Sequence, residues 1–256
     1  MKKSMLLLLP LLTGTLVMAQ SGNNGFLLSG SVIYEQVMQL DIQLEGDAAQ
    51  FAHALPKEQK SEKILHFSEE AALYENFKTE NVEEAMEMEG GGSVMIKMAQ
   101  PENKVFTDLD KGEQTEQKEF MSRLFLIESE LKKGEWKLTG GQKIILEYPC
   151  QEAITNEEDQ EIHVWFAPGI AVHAGPGKFG NLPGLVLAVD VNEGEFVISA
   201  TSIELKELDK AVLTKPGKGK KVTEEEFHAI VEEKMKEMGA EGGISGGHTV
   251  VIKIQQ

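Results

Sequence analysis

The sequence predicts a mainly β protein: a strongly curved, half-barrel-like antiparallel sheet with a C-terminal α-helix and a final strand. Most of the chain consists of short segments in which apolar and polar residues alternate, as they do in half-buried strands. The breaks between these segments are rich in Gly, Asn and Asp, as hairpins require. A curved sheet wrapped around an apolar interior allows so many strands to bury one face.

Alternation predicts strands at 29–44, 62–68, 93–100, 142–153, 161–167, 185–191 and 195–205. Residues 192–195, with the sequence NEGE, predict a hairpin turn between the last two of these strands. Residues 119–131 suit either a helix or a buried strand, and we interpret them as a strand.

The helix is predicted near the C-terminus. Thr223 and Glu226 form a capping-box pair, and Gly239 ends the helical pattern. One face of this helix is apolar and is the speculative ligand-binding surface, made of Phe227, Ile230, Val231, Met235 and Met238. The helix is interpreted either as a movable lid or as a fixed plug on the sheet. Residues 248–256 again alternate and predict the final strand.

The first residues have the pattern of a secretory signal. Lys2 and Lys3 precede an apolar run, and Val17-x-Ala19 offers a cleavage site, so the mature chain is expected to begin at Gln20. The expected organisation is a signal at 1–19, a β domain at 20–214, and a segment at 215–256. This last segment contains a basic and Gly-rich linker, the helix and the final strand, packed on the same domain. The expected location is the periplasm or the extracellular space.

The net charge and the apolar runs of the chain argue against some classes of binding partner. The formal net charge is −17, and it becomes −19 once Lys2 and Lys3 leave with the signal. Such an acidic surface repels phosphate backbones, so nucleic acid is not an expected partner. The apolar run of the signal is too short to span a membrane stably, and no second segment is longer.

Residues 175–190 contain a formal G-x-G-x-x-G at Gly175, Gly177 and Gly180. A dinucleotide site needs a helix to begin within this motif, but Pro183 and Gly184 follow at once and prevent it. The P-loop pattern fails as well, because Phe179 stands where Ser or Thr is required. The stretch is therefore interpreted as a shaped turn that leads into a buried strand, and no cofactor is expected.

An ordered series of motifs runs through the second half of the chain. Its expected core residues are Trp136, Tyr148, Cys150 and Trp165, and its loop residues are Gly175, Pro176, Lys178, Phe179, Leu182, Pro183, Gly184 and Leu185. The series resembles the GLPGLI family, exported Bacteroidetes proteins that are mostly of unknown function. The resemblance covers about 29–205, and Asn181 and Val186 replace the family's glycine and isoleucine. It implies an exported β domain and transfers no catalytic residue.

Two chemical sites are weighed and not favoured. Cys150 with His163 or His173 could form a nucleophile pair, but no motif of a hydrolase surrounds the cysteine. An acidic, Met-rich stretch around Gly90–Gly92 could hold a metal ion, but it lacks spaced His or Cys ligands, so no metal site is predicted.

The expected function is therefore binding or accessory work in the cell envelope, without catalysis. Its ligand would be lipid-like or a peptide, and an envelope protein is the other partner considered. A metal-handling accessory protein is the alternative, and a hydrolase is third. The sequence leaves open the ligand, any catalysis, the oligomeric state and the exact compartment.

Overall fold

The computed structural model describes residues 28–40, 56–77, 101–131, 135–157, 160–209 and 211–237, and the backbone of 82–87 and 93–98. The first half of the chain contributes β1 (Gly30–Gln39), β2 (Glu58–Phe67), β3 (Ala71–Asn76), β4 (Val82–Glu87), β5 (Ser93–Met98), β6 (Asn103–Asp108), β7 (Glu113–Phe120) and β8 (Arg123–Glu130). The second half contributes β9 (Lys137–Ile145), β10 (Tyr148–Glu157), β11 (Gln160–Ala167), β12 (Leu185–Val191), β13 (Phe196–Leu205), β14 (Lys220–Val222) and α1 (Glu224–Glu237).

Twelve of these strands form one open, curved sheet in the order β14-β8-β7-β6-β3-β2-β1-β13-β12-β11-β10-β9. Neighbours are antiparallel except β14, which pairs parallel to β8. β4 and β5 form a separate hairpin. The predicted class, a mainly β curved antiparallel sheet with a C-terminal helix, is confirmed. The predicted final strand at 248–256 lies outside the described residues.

Two of the predicted strands are wrong in extent. The segment predicted as one strand at 119–131 contains the end of β7, a turn at Met121-Ser122 and β8. The segment predicted at 142–153 likewise turns at Leu146-Glu147, between β9 and β10. Strands β3 and β6 were not predicted at all.

The main core covers one face of the sheet, here called the core face. Tyr34, Phe67, Val164 and Phe166 are completely buried there. The connection between β11 and β12, residues 168–184, folds over this face and contributes further buried side chains, namely Ile170, Val172, Ala174, Phe179 and Leu182. Burial of this apolar surface is the main stabilising contribution to the fold.

A second, smaller cluster lies at the β8 end of the sheet. Phe227 of α1 packs edge-on against Phe120 and Phe125, with ring centroids 6.1 and 5.3 Å apart. Ile127, Val222 and Val231 complete this cluster. The predicted capping box is present: Glu226 N donates to Thr223 Oγ1, and Thr223 N donates to Glu226 Oε2. Within the described residues, no helix is both long and apolar enough to cross a membrane.

Candidate functional site

The most chemically distinctive cluster lies on the outer face of β9–β12, opposite Val164 and Phe166, where Trp165 also packs against members of the main core cluster. Along β11, Ile162, Val164 and Phe166 point to the core, while His163 and Trp165 alternate with them and are half-buried. Strand periodicity therefore places Glu161, His163 and Trp165 on one outer surface. Cross-strand pairing brings β10 and β12 side chains beside them, because Glu152 pairs with Trp165 and Asp190 pairs with His163.

His163 lies between two carboxylates. Its Nδ1 is 2.9 Å from Glu152 Oε1, and its Nε2 is 2.7 Å from Glu161 Oε1. The bonds to Glu152 and then to Glu161 raise the pKa of His163, because both carboxylates stabilise the imidazolium. Together, Glu152, His163 and Glu161 are called the acid–base triplet below. The raised pKa favours the imidazolium form, and both ring nitrogens of His163 are bonded to the two carboxylates.

A bulge in β9 holds Glu152 in place. Leu138 and Gln142 pair with Ala153 and Gln151, so that 139–141 all lie opposite Glu152. Thr139 Oγ1 donates to Glu152 Oε2 at 2.5 Å and accepts a hydrogen bond from Gly141 N. The bonds from Thr139 and then from His163 lower the pKa of Glu152, so this carboxyl remains ionised.

Two glycines lie in this bulge. A Cβ at Gly141 would lie 2.5 Å from Glu152 Oε2, so that the carboxylate would have to move. At the preceding position, Gly140 has φ of +83°, which side chains other than glycine rarely adopt. The backbone at 140 therefore favours glycine, and Gly141 leaves room for the Glu152 carboxylate.

Trp165 and Lys143 extend the site beside the triplet. Lys143 Nζ lies 4.1 Å from the centroid of the Trp165 ring, a cation–π contact. Partial burial lowers the pKa of Lys143. The cluster thus combines an aromatic ring, an amine, an imidazole and two carboxylates on one accessible surface.

Cys150 does not form a nucleophile pair with His163. Both ring nitrogens of His163 are taken by carboxylates, and Cys150 Sγ donates to Tyr148 O at 3.4 Å. Burial raises the pKa of the Cys150 thiol, which disfavours the reactive thiolate. His173 is exposed on the loop over the core face, whereas His163 lies on the outer face.

Residues 175–185 lie mostly in the connection between β11 and β12. Pro176 O accepts from Phe179 N, and Leu185 N and Val186 N donate to Ile170 O and Ala174 O. Leu182 is buried and Pro183 is exposed. Lys178 reaches outward to Glu157 at 3.3 Å. Beside this loop, Gly175, Gly177 and Gly180 line a small, shallow cleft together with Ala72, Thr107, Leu109, Leu131, His173, Ala174 and Asn181.

The other residues that the sequence suggested for a site make packing contacts in the fold. Trp136 and Tyr148 are partly buried against the main core. In the helix, Phe227 and Val231 are buried in the second cluster, and Ile230 and Met235 pack against it. Met238 lies outside the described residues, as do the side chains of the Met-rich stretch.

Sequence reasoning considered His163 but missed its partners. The local signal was the Glu161-x-His163 spacing on a strand, which puts both side chains on one face. Glu152 and Thr139 came from neighbouring strands, and only the register of those strands reveals the cluster.

A family model matches the part of the chain that contains β9–β12. Residues 95–226 match the family model described as "N-glycanase peptide, N-terminal domain", and since this is more than half of the chain, the protein belongs to that family. Two solved structures of PNGF-II, in the P21 and C2 space groups, share the fold, with TM-scores of 0.52 and identities of 17% and 18%.

These structures are much longer than the chain. The alignment covers 80% of this chain and 33% of each PNGF-II chain, so the protein spans about a third of their length. No curated protein matches the sequence significantly.

The family match overturns two expectations. The resemblance to the GLPGLI family is wrong, because the matched family is that of the N-glycanase N-terminal domain. The expected non-catalytic envelope protein that holds an apolar or peptide ligand, with metal handling as its alternative, is wrong for the same reason. The loop and core motifs that suggested the other family follow from strand packing and turn geometry, which unrelated β proteins can share.

Proposed function

We propose that this protein has a glycan-directed function of the N-glycanase type and that the acid–base triplet beside Trp165 engages the sugars of an N-linked glycan. The family match supports the substrate class. The observation that carries the site is the placement of His163 between Glu152 and Glu161 on an accessible surface.

The side chains of the cluster suit a carbohydrate. Sugar hydroxyls donate to carboxylates such as Glu152 and Glu161, and they accept from the Lys143 amine. The apolar face of a sugar ring packs against an aromatic side chain such as Trp165, whose ring is rigid and amphipathic. A site built on three adjacent strands holds these groups in fixed positions.

The triplet also supplies proton transfer. Release of an N-linked glycan breaks the amide bond of a glycosylated asparagine: water adds to the carbonyl carbon, and the nitrogen leaves with the sugar after it receives a proton. An ionised Glu152 can accept a proton, while His163, whose two ring nitrogens bond Glu152 and Glu161, holds both carboxylates in place. The proposed contribution of this domain is to bind the glycan and to present these groups to it.

Two measurements test the proposal on the same protein. Titration calorimetry with a free N-glycan should give saturable binding, and mass spectrometry of a glycoprotein incubated with the chain should report glycan release. His163→Gln should weaken binding about tenfold, since it loses the charged partner of both carboxylates. His228→Gln, on the exposed side of α1, is the matched control and should bind as the wild type does. Absence of both binding and release would refute the proposal.

We also propose that the protein is exported and that its mature form begins at Gln20. The basic start, the apolar run and the Val17-x-Ala19 site support this. The intact mass of the exported protein should lack residues 1–19. A full-length chain retained in the membrane fraction would contradict it.

A further inference from the structure

Among the described strands, β9 is the edge of the sheet next to the acid–base triplet. It is the last strand of the sheet, and within the described part of the chain it pairs only with β10. It has nine residues, and its apolar side chains Leu138 and Ile144 are 56% and 75% exposed. Unpaired backbone groups at a sheet edge are a template for another strand, and the bulge at 139–141 divides this edge into 137–138 and 142–145.

The charge of β9 differs from that of the chain. Lys137 and Lys143 are the charged residues of this strand, and it carries no carboxylate, while the whole chain has a net charge of −17. A second copy of the chain would bring these lysines close to lysines of the same sign in an antiparallel pair. An extended segment with acidic side chains would be attracted instead.

We propose that β9 binds the polypeptide of an N-glycosylated substrate as an added strand, so that its glycan lies across the outer face on the acid–base triplet. This inference rests on the proposed function and adds the second half of the substrate, the extended protein segment that bears the sugar. Main-chain hydrogen bonds to the edge would hold any sequence, and the glycan would select the glycosylated site.

The spacing of the sheet fits this arrangement. Neighbouring strands lie about 4.8 Å apart, so an added strand would lie roughly 10 Å from β10 and roughly 14 Å from β11. The Glu152 carboxylate reaches Thr139 of β9, so an asparagine side chain on the outer face of the added strand would place its amide beside Thr139 and Glu152. The first sugar would then lie over His163 and Trp165.

Glycopeptides with altered backbones test this directly. One acidic glycopeptide is prepared in three forms: unmodified, N-methylated at every second residue, and N-methylated at the intervening residues. In an added strand only alternate N–H groups face the edge. We therefore expect one methylated form to lose about tenfold or more in affinity and the other to bind as the unmodified glycopeptide does.

Protein variants give an independent check. Leu138→Glu on β9 places a carboxylate at the edge and should weaken binding of the acidic glycopeptide while leaving binding of the free glycan unchanged. Leu205→Glu, at the end of β13, is the matched control, because this leucine is also exposed and is remote from β9 in the sheet order. It should not change either affinity.

The outcomes separate this inference from the proposed function. If the free glycan binds and the three glycopeptides bind equally to each other, the edge proposal is wrong and the glycan function stands. If neither glycan nor glycopeptide binds, both are wrong. A dimer in sedimentation that Leu138→Glu dissociates would overturn the edge proposal in favour of self-association.

Discussion

Gly141, which has no side chain, affects the chemistry of the site because it leaves room for the Glu152 carboxylate. That carboxylate in turn raises the pKa of His163. A methyl group at position 141 must displace that carboxylate, so Gly141→Ala should lower the pKa of His163. Proton NMR titration of the imidazole ring measures this shift.

Gly169→Ala is the control for this change, because a Cβ at Gly169 meets nothing within 4 Å. In Gly169→Ala, the pKa of His163 should equal that in the wild type. An unchanged pKa in Gly141→Ala would mean that the bulge does not position Glu152.

A buried lysine gives the molecule a stability that depends on pH. Lys63 is 5% exposed on the core face, bonded to Asn76, and burial lowers its pKa to about 8 from 10.5. Between these two values the unfolded chain binds the proton and the folded chain does not, so stability rises with pH across this window. Below pH 8 both states are protonated, and the full cost of burying the charge remains.

Lys63→Met should remove this dependence. Relative to the variant, the wild type should gain about 2–4 kcal/mol of unfolding free energy between pH 8 and 10.5. Denaturant unfolding at a series of pH values measures it, with Lys60→Met on the exposed side of β2 as the control. Parallel curves for the wild type and Lys63→Met would contradict the assignment.

At the scale of elements, the 175–185 loop depends on close backbone packing. A Cβ at Gly184 would overlap Ala167 O, and its φ of +156° disfavours a branched side chain. Gly184→Val should therefore lower the free energy of unfolding by roughly 1–3 kcal/mol. Thermal melting compares it with Gly217→Val, where a Cβ meets nothing within 4 Å. An unchanged melting temperature with lost glycan binding would instead make the loop part of the site.

The strands were largely predictable, whereas the tight turns were not. Alternation identified β11 and β13, each of which buries mainly one face, and a continuous apolar run identified β12, which is buried on both faces. Two hairpins turn at Met121-Ser122 and Leu146-Glu147 with positive φ, a conformation that usually requires Gly or Asn. Since these turns lack that signal, two strands were read as one in each place. The hairpin turn at 192–195 was predictable, because it contains Asn192 and Gly194.

At the scale of the whole molecule, sequence alone could not supply strand order. β1 lies between β2 and β13, and β14 returns to pair with β8, pairings that depend on contacts far apart in sequence. The acid–base triplet depends on the same information, since Glu152 and His163 meet only through the register of β10 and β11. The curved sheet was predictable because many strands each have an apolar face to bury, and a curved sheet lets these faces share one interior.

The two apolar clusters predict two levels of stability within this sheet. The main core extends from β6 to β10 in the order of the sheet, while α1 and β8 share the smaller cluster around Phe227. Phe227→Ala removes the ring that contacts Phe120 and Phe125, a change that typically costs about 3–5 kcal/mol. Because this cluster is separate, the loss should open α1 and β8 locally rather than unfold the whole sheet.

Native-state hydrogen exchange distinguishes local from global opening. In Phe227→Ala, the amides of α1 and β8 should exchange more than about a hundredfold faster, while those of β11 and β12 keep their protection. His228→Ala, its exposed neighbour, should exchange as the wild type does. Equal acceleration in β11 and β12 would show that the helix end and the main core unfold as one unit, so that α1 is a fixed plug required by the entire sheet.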